Sequence, residues 1–272
     1  MQEWLNHPAV HGGLAPFVAA LIVAELFQRM RLSGLAIFAG FAATIYLASD
    51  FSIEPLTATR KIMLLGLFSA VLALPLMLLK LPLLRPVLAV AGGVAAVWVA
   101  ASILQQQEIS LMLLWGVGCA LYVGWLVFWM EGLNDASVRA GSAGIALGFG
   151  SGAAALFGAP ALLGQFGLAL GAAASAYLLI QMITNTPLPC GRIFTLPLSL
   201  VAGLTGCLAV LTAQTPWYAL PALAVIPLAA KIPVPEKKAL WVQSLLLSAI
   251  TLMCAAGAVY LTWRVAATPT IH

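Results

Sequence analysis

Few side chains in this sequence are of a type that does chemistry, and their spacing decides which reactions are open. Gly150-Ser151-Gly152 sets a hydroxyl between two glycines. A nucleophilic serine needs a neighbouring base and the G-x-S-x-G turn, and neither accompanies it. The histidines His7, His11 and His272 lie at the termini. His7 and His11 are four apart, a metal-binding spacing on a helix, but no carboxylate or cysteine pattern completes a ligand set. Cys119, Cys190, Cys207 and Cys254 form no C-x-x-C pair, and three fall in apolar runs, so they read as small core residues. These residue types predict no catalytic group, no metal site and no cofactor; an enzyme is not expected.

The spacing that does recur carries arginine. Pro55 and Leu56 precede Arg60 by five and four residues, and Pro187 and Leu188 precede Arg192 in the same way, 132 residues later. Gly34-Leu35-Ala36 returns as Gly167-Leu168-Ala169 at an offset of 133, trailed by Tyr46 and Tyr177 respectively. Two matches in one order at nearly one offset predict an internal duplication, with copies at 12–130 and 138–263. Proline presets φ and keeps the preceding residue out of a helix, so each Pro-Leu step aims a new element. An arginine there opposes the helix dipole. Either it snorkels to lipid phosphates, or it acts as a gate, clamping carbonyls or a carboxylate across the two halves in one state. Asp50 and Glu54 are available to Arg60; Asp135 and Glu131 are available to Arg192.

Other polar groups are candidates for a solute pathway. Glu25 is a proton or cation site, or a structural partner of Arg29 four residues on. Tyr46, Tyr177 and Gln181 are further pathway candidates, with Gln165, Asn185 and Gln243 as polar groups that could hydrogen-bond between helices.

The elements that must position these groups follow from composition. At 63% hydrophobic and 7% charged residues, the chain falls far below the roughly 25% charge of soluble domains. Lipid tolerates only structures that satisfy their backbone internally, and the apolar runs lack the alternation of barrel strands. The expected fold is all-α, a polytopic transmembrane bundle forming a single integral domain over 1–272. Spans are expected near 12–29, 33–49, 62–79, 86–104, 111–130, 138–158, 160–184, 194–213, 216–231 and 239–263. Pro221 and Pro227 mark the ninth as kinked or broken, and eight or nine spans are the alternatives. Gly144, Gly148 and Gly152 recur every four residues, as do Gly167 and Gly171. Such stripes let helix backbones approach closely in lipid.

Ten spans put nine basic residues on one side and three (Arg60, Lys61 and Arg264) on the other. The nine-residue side is expected in the cytoplasm, with both termini outside. The net charge of +4 belongs to these loops, so no nucleic-acid partner is expected. The first ten residues lack Lys and Arg, which predicts a retained first helix rather than a cleaved signal. Two five-helix halves must then be inverted relative to each other, the plan of many secondary transporters. As architecture this layout is similar to the drug/metabolite transporter superfamily, although no motif specific to that family is present and outward termini depart from it. The expected function is a small-solute permease or carrier of a prokaryotic inner membrane. The alternative is a non-transporting membrane subunit or assembly factor. Expected partners are the lipid bilayer and either a small-molecule substrate or another membrane protein.

Overall fold

The computed structural model describes residues 8–49, 55–79, 81, 83–157, 159–212, 215–235 and 238–267. Among them every regular element is a helix and there are no strands. We number the helices α1 (Val10–Phe27, opening with a π turn over Val10–Leu14), α2 (Leu35–Ala48), α3 (Ala58–Leu76), α4 (Leu84–Leu104) and α5 (Ile109–Glu131). There follow α6 (Ser137–Leu156), α7 (Ala161–Thr184), α8 (Gly191–Thr212), α9 (Ala219–Ala229) and α10 (Leu240–Ala267). Seven of them, α1, α3, α4, α5, α7, α8 and α10, are long and apolar enough to cross a bilayer, as expected of a helical membrane bundle. The glycine- and serine-rich α6 and the shorter α2 and α9 fall outside that set.

Local chemistry sets the boundaries. α3 begins at 58 rather than the expected 62, because Thr57 Oγ1 caps it by accepting from Arg60 N at 3.4 Å. α6 and α7 are separate helices because Pro160, extended at ψ 134°, is the N-cap of α7. α9 is interrupted at Val225, between its two prolines.

The core is built around α8, which packs against every helix from α2 to α7. Its most apolar window is 94% buried, against 22–39% for the corresponding windows of α1, α3, α4, α5 and α10. α6 and α7 form the closest helix pair. A Cβ on Gly148 would run into the backbone of Gly171, and one on Gly167 into Gly152. The glycine stripes therefore face each other at backbone contact, and α6 stays helical throughout.

Contacts also show which connections share an end. Ser33 before α2, the C-terminus of α3, Asn134 before α6 and the segment leading into α8 touch one another, and Asn185 holds the start of α10. At the other end Thr44 Oγ1 donates to His11 O, and Lys61 Nζ donates to Trp98 O.

Candidate functional site

The end where these connections meet is organised by residues 185–191. α7 terminates at Asn185, whose left-handed backbone (φ 50°) turns the chain back. Pro187 and Pro189 have no N–H, so the segment needs few acceptors, and two of its carbonyls find side-chain donors on α7 and in the turn before α2. Tyr177 OH donates to Leu188 O at 2.7 Å, and Ser33 Oγ donates to Pro189 O at 2.7 Å. Leu188 N donates to Gln181 Oε1 at 3.3 Å, while Gly191 N and Cys190 Sγ both donate to Asn134 O at 3.0 Å. Gly191 has a φ of +61°, a conformation costly for any residue with a Cβ.

That turn delivers Arg192, the second residue of α8, into a buried cluster. Its Nη1 donates to Leu76 O at 2.6 Å and to Leu79 O at 2.9 Å. These carbonyls lie at and just beyond the C-terminus of α3, the negative end of its dipole; Leu76 O also accepts from Leu79 N at 3.2 Å. Arg192 Nε lies 3.2 Å from Glu131 Oε2, an ion pair whose N–H is not aimed at the oxygen. Thr195 Oγ1, one turn on, donates to Glu131 Oε1 at 2.5 Å. The Glu131 side chain is 1% exposed and that of Arg192 is 16% exposed. One guanidinium thus ties α8 to α3 and α5.

Arg60, the third residue of α3, behaves differently. Its Nη1 donates to Pro55 O at 2.8 Å, within its own approach segment. Since Arg192 grips the last residue of α3 and Arg60 sits in its first turn, the two arginines lie at opposite ends of this helix, about 24 Å apart along its axis. Asp50 and Glu54 lie outside the described residues. Asp135 lines a crevice beside the 187–191 segment, and Glu131 takes the ion pair with Arg192.

The crevice has a volume of about 780 Å³, within the range of small-molecule sites. Gln28, Arg29, Arg31, Asn134, Asp135 and Ser137 supply its polar wall, and residues 187–191 close it. Cys190 lies on that wall yet is only 3% exposed. Burial pushes its thiol well above the usual thiol range, with the carboxylates of Glu131 and Asp135 adding to the effect. The thiolate is the nucleophile, so Cys190 should resist iodoacetamide at pH 8 in the folded protein and react once unfolded. Peptide mass spectrometry after labelling with and without denaturant reads this directly; full labelling of the folded protein would mean that the segment opens freely.

The remaining candidates are dispersed. Glu25 is exposed and accepts from Gln28 Nε2 at 2.8 Å. Tyr46 is 75% exposed, whereas Tyr177 is fully buried. Gln181 is fully buried too, and its Nε2 has no acceptor among the described residues. Gly144, Gly148, Gly152, Gly167 and Gly171 belong to helix contacts away from the crevice.

Sequence reasoning missed Ser33, Asn134 and the α3 carbonyls, because each arrives from a different helix and leaves no spacing signal. Thr195 could have been found. It stands three residues after Arg192 and shares its helix face.

Neither a protein-family model nor a curated protein sequence matches this chain.

Proposed function

We propose that the chain crosses the membrane ten times with both termini outside and carries a small solute by alternating the exposure of two inverted halves. The observation that supports this most is the Arg192 clamp. It joins α8, in the second half, to α3 and Glu131 of the first at one end of the bundle, while among the described residues Arg60 at the other end holds its own approach segment. A latch across the halves at one end is what a carrier closed on that side requires. The crevice above the latch is then the vestibule, with polar groups of both signs at its wall. The basic-residue bias, with Arg29, Arg31, Arg85, Arg139, Arg192 and Lys231 at this end, supports a cytoplasmic side for it.

A thermal-shift screen of the purified protein against metabolites tests the reading. Ligands of a carrier should raise the melting temperature of the wild type, and Arg192→Lys, which keeps the charge but loses the planar fork, should alter that shift. A screen in which no solute changes the melting curve would count against transport. The topology is tested by a C-terminal reporter fusion. It should be active when the reporter works outside the cytoplasm, and activity confined to a cytoplasmic reporter would contradict the outward C-terminus.

A second reading, a non-transporting subunit, is favoured by a difference between the halves. α6 packs firmly against α8 and α10, while α1 makes no comparable contact with α3 or α5, their counterparts by the 132-residue offset. Co-purification of one stoichiometric membrane partner, together with a null metabolite screen, would support it.

A further inference from the structure

The outer surface of the bundle carries a second feature, independent of the crevice and of transport. α4 and α5 pack so closely that a Cβ on Gly93 would lie 2.8 Å from Ala120 O, and one on Gly124 would lie 2.9 Å from Ala89 O. Their small residues leave an apolar groove of about 780 Å³ walled by Val90, Val94, Val97, Trp98, Trp125 and Phe128. It runs from Pro86 to Ala101 along α4, about 22 Å at helical rise. That exceeds the roughly 15 Å of hydrocarbon depth in one leaflet.

At the Pro86 end the character changes abruptly. Arg85 lies 3.8 Å over the Phe128 ring, and its Nε donates to Phe128 O. The same guanidinium lies 5.5 Å from the Trp129 ring centroid, and Lys231 Nζ lies 4.2 Å from that centroid. Arg85 Nη2 and Trp129 Nε1 are both buried and have no acceptor among the described residues. The nearby carboxylate, Glu131, is already taken by Arg192 and Thr195. Burial, with Arg85 close by, holds the Lys231 amine below its ordinary range. Donors without acceptors at the edge of the hydrocarbon are costly. An incoming anion would relieve both the repulsion and the unmet donors.

We propose that this place binds one anionic phospholipid, its phosphate held by Arg85 and Lys231 and one acyl chain lying in the α4–α5 groove. Charge selects the head group, and the length and apolar walls of the groove select the chain. The apolar continuation distinguishes a lipid from a free phosphate, which would use the cations alone. Neither half of the site lines the crevice at the 187–191 segment, so the proposal stands or falls apart from the carrier reading.

The test uses delipidated full-length protein in a neutral detergent, melted with phosphatidylglycerol, with phosphatidylcholine or with inorganic phosphate. Phosphatidylglycerol in large excess over its Kd should raise the melting temperature by roughly 5 °C or more, and phosphatidylcholine should raise it far less. Arg85→Gln combined with Lys231→Gln should weaken phosphatidylglycerol retention in native mass spectrometry by roughly 30-fold. Val90→Trp fills the groove from a position that is 68% exposed. It should fold normally and lower retention with every charge in place, which keeps the test decisive if the double variant is unstable. Equal shifts with both lipids, an equal shift with phosphate, or undiminished retention in Val90→Trp would each overturn the proposal.

Discussion

Arg192→Met is expected to destabilise the protein by about 3–5 kcal/mol, because it strands the Glu131 carboxylate in the interior without its counter-ion. Three partners are lost at once. Glu131 loses its ion pair, Leu79 O loses its donor, and Leu76 O is left with the Leu79 N–H alone. Thr195 still donates to Glu131, but one hydroxyl does not neutralise a buried charge. Adding Glu131→Gln to Arg192→Met should recover part of the loss, since the double variant buries no unpaired charge. Melting curves of the two single variants and the double variant form the cycle that isolates the pair. Additive losses would show that Glu131 and Arg192 act independently. Arg60→Lys is the matched comparison. A lysine amine can replace one exposed bond to Pro55 O, so the change should be within about 0.5 kcal/mol. Arg192→Lys should cost more, because a single amine cannot reach α3 and Glu131 in a fork.

Gly148→Leu should cost about 3 kcal/mol or more and lower the yield of folded protein, an effect at the upper end of overpacking. The first atom of any side chain at Gly148 meets the backbone of Gly171 and Leu170, and backbone cannot rotate out of the way. Relief requires separating α6 from α7, the closest helix pair in the molecule, and α6 also packs on α8 and α10. Gly257→Leu in α10 provides the contrast. Nothing lies within 4 Å of its would-be Cβ, so this change should be neutral or should stabilise by up to about 1 kcal/mol through helix propensity. Equal melting temperatures for the Gly148 and Gly257 variants would mean that the α6–α7 contact opens at little cost.

The helical character of the chain was legible because it depends on composition and on local signals. A chain this apolar has only helices with which to satisfy its backbone in lipid, and Pro160 and the Pro221–Pro227 pair mark boundaries through their own dihedral preferences. The Thr57 cap, which starts α3 four residues ahead of the expected 62, was not read. The glycine periods at 144–152 and 167–171 were also legible as smooth faces, since a spacing of four is a property of one helix. Which face met which was not. That Gly148 sits on Gly171 depends on the register of two helices, and no single-helix pattern encodes it.

The arginine repeat divides in the same way. Spacing alone singled out Arg60 and Arg192 as equivalent positions and offered Glu131 as a partner for the second. Only the tertiary structure made them unequal, leaving Arg60 on a neighbouring carbonyl and inserting Arg192 between α3 and α5. Tyr46 and Tyr177 diverge for the same reason, one on the outer surface and the other fully buried with its hydroxyl on Leu188 O. Sequence determines what a residue can do within its own turn of helix. Whether it meets a carboxylate, a carbonyl or lipid depends on which distant helices pack beside it, and in a bundle organised around α8 those neighbours come from α2 through α7.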